Sequence, residues 1–430
     1  MRIVHPICAG MDVHKNSVSV CLVVNTPDGE RQQQLRRFGT MTRDLLSLGD
    51  WLREHQCPIV VMESTGVYWK PVFNILEGEF EVMLVNPSHF RNVPGRKTDT
   101  KDSEWLAELL EHGLLKASFI PAREIRDLRD VTRYRRRLVQ TRTSETQRVQ
   151  KILEGCNIKL ASVATDIRGV SARSILEALL LGKKTPQEMA ELTKGRMRHK
   201  RKEMEAALEG TIRPHQAWLI AQILEHLDVL DENIAECDGK VEEMCRPFRE
   251  QMKLLDTVPG IGEKAAQDIL AEVGVEMSSF PDHKHFCSWA ALCPGNHESA
   301  GKRKSGRTRK GNRWLRSVLV QCAHAAAHTK ETYLCSLYRR FTRKGVNKAA
   351  IVVAHSILEA VYFILRDGVP YHELGPDHFE QANKDRAIYH HLKRLKALGV
   401  DLFTDQPAPG QAIPQPAPHK LQVALSLAAV

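Results

Sequence analysis

Between residues 220 and 244, Ile220, Ile223, Leu227, Leu230, Ile234, Cys237, Val241 and Met244 fall three and four apart in alternation. That spacing is the a/d seam of one long helix, about three and a half heptads. A stripe of that length must be covered. Three covers are open: another copy of the chain, a second long helix expected over 123–154, or the neighbours of an ordinary bundle. Pro247 closes the segment.

Upstream the period changes. "ICAGMDVHKNSVSVCLVV" (7–24) reads as two strands turning near His14–Asn16, and Arg36–Thr40 as a third. "TRDLLSLGDWLREH" (42–55) has helical spacing, and "PIVVME" (58–63) is the short unbroken apolar run of a buried central strand. A helix over 67–77, a strand over 80–87 and a helix ending near Leu115 follow. This alternation predicts an α/β layer with a mixed sheet. Residues 123–154 then read as one basic helix, and 158–212 as helical and polar with a break near Gly182–Pro186. A mostly α-helical third part begins near 252, with helices over 312–328, 348–365 and 381–399. The expected domains are 1–122, 123–250 and 251–400. A proline-rich tail over 401–430 is too stiff and polar to join a core.

Composition narrows the setting. Ten cysteines are scattered with no C-x-x-C pair, which speaks against a structural zinc or a disulfide framework and for reduced, mostly buried thiols in a cytoplasm. No basic segment followed by an apolar run opens the chain, so no secretory signal is expected. The longest apolar stretch, 349–365, carries His355, Ser356 and Glu359 and reads as a buried helix, not a membrane span. The net charge of +10 is clustered: 123–151 hold ten basic and four acidic residues, 194–202 six basic and none acidic, and 299–316 eight basic and none acidic. Clustered cations suit a polyanion, nucleic acid above all. A solvated basic helix face is the alternative for the first cluster.

Four carboxylates stand where strands and a helix end. Asp12 ends the first strand and Glu63 the central one, while Asp99 and Asp102 lie one turn apart on one helix face. If that helix packs beside the same rim, mutual repulsion calls for a hard divalent cation. Mg²⁺ takes carboxylate oxygens and leaves positions for phosphate oxygens, and two such ions clamp both oxygens of a displacement. Lys97 and Lys101 would hold phosphates nearby. Helix N-capping is the alternative role for the two aspartates.

"VPGIGEKAA" (258–266) resembles the turn of a helix-hairpin-helix module, in which Gly260 and Gly262 would let backbone N–H groups approach a phosphate. A tight turn between helices is the alternative. In "NHESAGKRKSGRTRKGNRWLR" (296–316), Ser299 and Ser305 lie among Lys302, Arg303, Lys304, Arg307, Arg309, Lys310 and Arg313. A serine there could attack a phosphodiester with cations steadying the pentavalent charge, or only hydrogen-bond phosphate. His324 and His328, four apart on an alanine-rich face, read as core histidines.

Taken together, "GMDVHK", "MESTGVYW", "GRKTDTKDSEWLAELL", "VPGIGEKAA" and "SAGKRKSGRTRKGNRWLR" resemble the DEDD transposases of bacterial insertion sequences, described as bridge-RNA-guided recombinases. The resemblance covers most of 7–365. It implies an RNase H-like (RuvC-like) N-terminal domain whose acidic tetrad would be Asp12, Glu63, Asp99 and Asp102 with Mg²⁺, a helical coiled-coil middle, and a C-terminal domain with a nucleophilic serine. Ser299 is the placement and Ser305 the fallback. It further implies donor and target DNA and a structured noncoding guide RNA as partners, and a dimer assembling to a tetramer in which tetrad and serine meet between protomers. The site would be the bacterial cytoplasm, at the nucleoid when DNA is bound. A metal-dependent junction nuclease using water and a non-catalytic nucleic-acid-binding protein are the competing functions.

Overall fold

A computed structural model describes residues 2–26, 28–64, 66–86, 102–295, 297–382 and 384–398. Asp99, Lys97, Lys101 and the proline-rich tail lie outside them. The chain divides into two compact units, Met1–Arg249 with Gln267–Pro281, and Glu250–Ala266 with the residues from Asp282 onward.

The first unit opens with strands β1 (Ile7–Val13), β2 (Ser17–Asn25) and β3 (Arg31–Gly39), helix α1 (Thr42–Glu54), strand β4 (Ile59–Glu63), helix α2 (Trp69–Leu76), strand β5 (Glu81–Val85) and helix α3 (Asp102–Glu111). The sheet order is β3-β2-β1-β4-β5, with β1, β4 and β5 parallel and β2 and β3 antiparallel to their neighbours. The mixed sheet expected from the sequence is present. Strict alternation sorts its two faces. Ala9, Met11, Val60, Met62 and Leu84 pack with Leu45, Leu48 and Leu52 of α1 and Val72 and Leu76 of α2. Cys8, Ile59, Val61 and Val85 pack with Leu106, Ala107, Leu109 and Leu110 of α3. Strand β3 begins five residues before the expected third strand. Seven of its nine residues are exposed, so it carries no alternation to read.

Two long helices follow, α4 (Arg123–Gly155) and α9 (Pro214–Cys245), with the short helices α5 (Leu160–Val163), α6 (Val170–Leu181), α7 (Pro186–Ala190) and α8 (Arg201–Ala207) between them. The α9 seam is covered from within the chain. Leu230 and Ile234 pack on Leu138 of α4, with Val139 and Cys237 at the edge. Arg135 pairs with Asp238 and Arg142 with Asp231, so the residue numbers rise on one helix as they fall on the other and the pair is antiparallel. The short helices are less polar than expected. Ile175, Leu176, Leu179, Met189, Met204 and Leu208 form a core with Val149 and Leu153 of α4 and Ile220, Leu224 and Leu227 of α9.

Much of the first basic cluster turns inward, although Arg123, Arg137, Arg148 and Lys151 are exposed. Arg126 donates to Glu77 at 2.6 Å, and Arg133 donates two bonds of 2.7 Å to Glu272. Arg135, only 6% exposed, donates to Asp238, Gln267 and Asp268 at 3.2, 2.8 and 2.6 Å. Their acids lie far off in sequence, at the end of α2, where Glu77 caps the helix, and on α9 and α11 (Glu263–Val273). The row of guanidinium groups is a structural spine.

In the second unit α10 (Arg249–Asp256), α12 (His283–Trp289), a hairpin of β6 (His297–Ser299) and β7 (Lys302–Ser305), α13 (Arg313–His328), α14 (Tyr333–Thr342), α15 (Val346–Asp367), α16 (His378–Ala382) and α17 (Lys384–Ala397) follow in order. Among the described residues α15 is the one helix long and apolar enough to cross a membrane. It is the core helix of this unit, burying Ala350, Val353, Ala354, Ile357, Leu358 and Val361. His324 is half-buried, its Nδ1 3.3 Å from the Tyr338 hydroxyl, but His328 is exposed and not a core residue. The last residue of α13 points outward because the buried stripe ends at Ala326.

Candidate active site

Asp12 and Glu63 sit one residue beyond the Met11–Met62 register pair of two adjacent parallel strands. By alternation both lie on the face that carries Cys8 and Val61, which is the face covered by α3. The direction of α3 follows from its contacts. Ser103 and Ala107 lie on Gly10, where an added Cβ would stand 2.3 Å from the Ser103 oxygen and 2.4 Å from the Ala107 nitrogen. Cys8 Sγ faces the Ala107 carbonyl at 3.7 Å, and the Glu111 carbonyl accepts from the Val4 and His5 N–H groups at 2.8 and 3.1 Å. The helix therefore runs antiparallel to β1, and its N-terminus heads for the rim where Asp12 and Glu63 stand. Asp102 is its first residue. The buried Glu111 carboxylate anchors the other end, accepting from Asn25 Nδ2 at 2.9 Å and Arg31 Nε at 3.1 Å.

Asp12 and Glu63 thus share one face at one rim, α3 directs Asp102 toward it, and all three are half-buried. Asp99, one turn before Asp102 in sequence, lies outside the described residues. The set is all carboxylate, the donor chemistry that suits a hard divalent cation. Among the described residues no group of three or more His, Cys, Asp or Glu stands close enough to hold a metal ion. A neighbour missed from sequence is His14, whose Nε2 lies 2.9 Å from Asp12 Oδ2 across the tight β1–β2 turn. The signal was present as Asp-x-His in "GMDVHK".

The two other expected sites lie in the second unit. Between α10 and α11, Gly260 has φ +94°, and a Cβ on it would meet the Cys322 carbonyl oxygen of α13 at 2.3 Å. Its glycine requirement is one of packing. A Cβ on Gly262 would meet nothing within 4 Å. The basic serine segment folds into the β6–β7 hairpin, with Ser299 paired to Lys302 and a two-residue turn at Ala300 and Gly301, φ +51° and +71°. Positive φ at both positions marks a type I′ turn. The Ser299, Arg303 and Lys304 side chains lie outside those described. Ser305 is exposed, and its Oγ accepts from the Arg307 N–H at 3.2 Å. Lys302, Arg307, Arg309, Lys310 and Arg313 are exposed, with Arg309 donating to Ser288 Oγ at 3.2 Å and Arg313 stacked over Trp314.

Family comparison agrees with this partition. A DEDD transposase family model of the IS110 type matches residues 9–158, and a model described as transposase IS116/IS110/IS902 family matches residues 252–339. The chain belongs to the IS110-type transposases. The first match contains the acidic rim, and the second contains the Gly260–Gly262 turn and the serine hairpin. Pilin gene-inverting proteins of Moraxella bovis and Moraxella lacunata are each 29% identical over 147 residues, 33% of this chain. The match spans 45% of the length of these curated relatives.

Proposed function

We propose that this IS110-type transposase cuts and rejoins DNA strands to move an insertion sequence, using an Mg²⁺-bound tetrad of Asp12, Glu63, Asp99 and Asp102 and a nucleophilic serine, Ser299. The observation that carries the reading is the antiparallel run of α3 on β1, which directs Asp102 to the rim of Asp12 and Glu63. The sheet order β3-β2-β1-β4-β5, with α3 packed on one face and α1 and α2 on the other, supports an RNase H-like domain. Bound divalent cations would supply charge neutralisation at the scissile phosphate. The carboxylates hold them there, and His14 orients Asp12. The Ser299 oxygen attacks phosphorus, one P–O bond forms and the bond to the departing strand breaks, and the serine proton ends on the departing oxygen, giving a phosphoserine link and a free strand hydroxyl. Rejoining reverses these changes on a second strand. The exposed Lys302, Arg307, Arg309 and Lys310 flank the hairpin and stabilise the crowded phosphate charge.

On the same reading a structured noncoding RNA pairs with donor and target DNA and selects the site, and the working form is an oligomer. The test is covalent trapping. Purified protein, its element RNA, Mg²⁺ and labelled DNA should give a protein–DNA adduct that survives denaturation. Ser299→Ala should abolish it and Asp12→Asn should prevent its formation. Cleavage without an adduct, at full rate in Ser299→Ala, would instead establish hydrolysis by water. An adduct lost only in Ser305→Ala would move the nucleophile to the far end of the hairpin.

A further inference from the structure

The geometry points to a second DNA contact in this protein: the tip of the α4–α9 arm is a docking surface for the backbone of duplex DNA. This rests on the reading above that DNA is the substrate. Lys194, Arg196, Arg198, Lys200, Arg201 and Lys202 follow one another with no acid between them, across the 3₁₀ turn Gly195–Lys200 and the start of α8. All six are exposed. Among the described residues none of them enters an ion pair; Lys200 Nζ lies 3.5 Å from the Val163 carbonyl oxygen. The contrast with α4 is physical. There the guanidinium groups turn inward onto Glu77, Glu272, Asp238 and Asp268, whereas here the cations face water and one another.

The chemistry selects the occupant. Residues 194–202 hold no Phe, Tyr or Trp and His199 is their one aromatic ring, so the segment lacks the row of large aromatic platforms on which successive unpaired bases stack. Nor do residues 194–202 hold the apolar centre that a protein partner would bury, Met197 being their single apolar side chain. Cations alone position a phosphate backbone without reading its sequence. The arm sets the distance. Near its start, Arg126 of α4 stacks over Phe73 of α2 at 5.1 Å. At its other end the Ala207 carbonyl accepts from the Lys159 N–H at 2.7 Å, and Gly210 packs on the Cys156 carbonyl, fixing the tip to the end of α4. A helix of 33 residues is about 50 Å long. That span equals about 15 base pairs of duplex.

The experiment compares the full chain with Arg196→Gln/Arg198→Gln/Arg201→Gln/Lys202→Gln by fluorescence anisotropy on random-sequence duplexes of ~12 and ~40 base pairs over a range of salt. On the longer duplex the variant should bind roughly ten-fold more weakly, with its log–log salt slope shallower by about 3 to 4. On the shorter one the variant should lose less, because a ~12-base-pair duplex seated at the acidic rim does not reach the tip. Arg196→Lys/Arg198→Lys/Arg201→Lys keeps the charge and should bind as the parent does, which separates charge from folding. Equal affinity and slope on the long duplex, or a loss confined to RNA, would each overturn the proposal. Asp12→Asn, outside the patch, reports on strand cleavage alone. Intact cleavage with no patch effect sinks the arm contact only; a patch effect in a protein that never cuts DNA sinks only the catalytic reading.

Discussion

Gly10 lies directly under Ser103, so close that a methyl group on Gly10 would stand 2.3 Å from the Ser103 carbonyl oxygen. Both obstacles above Gly10, that oxygen and the Ala107 nitrogen, are backbone and cannot swing aside. The bare Cα lets α3 settle on β1 and carries Asp102 toward the rim of Asp12 and Glu63.

Gly10→Ala should therefore lift α3. Overpacking of this kind costs about 1–3 kcal/mol, readable in urea denaturation. The larger effect should fall on Mg²⁺-dependent strand cleavage, because the helix that brings Asp102 moves. A Gly10→Ala protein that cuts DNA at the parent rate would separate α3 from the active site.

Glu272 is 3% exposed and accepts two bonds from Arg133, with Arg129 Nε at 3.5 Å. Burial pushes the Arg129 guanidinium down and Glu272 pulls it back. Glu272→Ala strands both cations and should destabilise the protein by about 3–5 kcal/mol. Equilibrium denaturation checks it, and a change under ~1 kcal/mol would mean that water replaces the carboxylate at no net cost.

The two glycines of the α10–α11 turn should behave differently. Gly260→Ala meets the Cys322 carbonyl at a positive φ and should cost about 2 kcal/mol or more in stability. Gly262→Ala points into open space and should leave stability unchanged. If this turn seats a phosphate, Gly262→Ala alone should weaken DNA binding, measured at low salt. Unchanged affinity would leave the turn a purely structural joint.

Asp231 of α9 ties α4 to the turn before α6, accepting from Arg142 at 2.7 Å and Arg168 at 3.0 Å. Burial pushes its carboxyl up, but the Arg142 hydrogen bond and the Arg168 charge and hydrogen bond outweigh it, and the pKa lies below its ordinary 3.8. A depressed folded pKa contributes stability that is present above the unfolded value and lost as pH falls through the folded one. Between pH 5 and pH 3 the urea midpoint of the parent should fall more steeply than that of Asp231→Asn. Parallel curves would show that the pair contributes nothing to acid sensitivity.

Ala300 holds φ +51°, where a Cβ is strained by about 1–2 kcal/mol. Ala300→Gly should relieve that strain and slow amide exchange at Lys302, its neighbour across the turn. Faster exchange would show that the alanine, not its backbone, holds the hairpin.

What the sequence disclosed depended on whether a pattern was local. The alternation of β1, β2 and β4 and the seam of α9 were legible because each repeats within one element. Asp12, Glu63 and Asp102 were legible because each sits at an element's end. The β6–β7 hairpin was not, since its turn is Ala-Gly and not the Asn-Gly that announces positive φ at both positions. The α4 arginines were misread because Glu272 and Asp238 lie more than a hundred residues from their partners. The core among α5–α8 was hidden by the charged residues that share those short helices.

Because α4 leaves and α9 returns side by side, everything between them is an excursion whose two ends nearly touch. Such a loop-out can be lengthened, trimmed or exchanged without rethreading the sheet or the second unit. Neither family match enters 159–251, which takes in nearly all of that excursion together with α9. In this architecture, reach is a part that evolution or an engineer can change by itself, leaving the acidic rim in place.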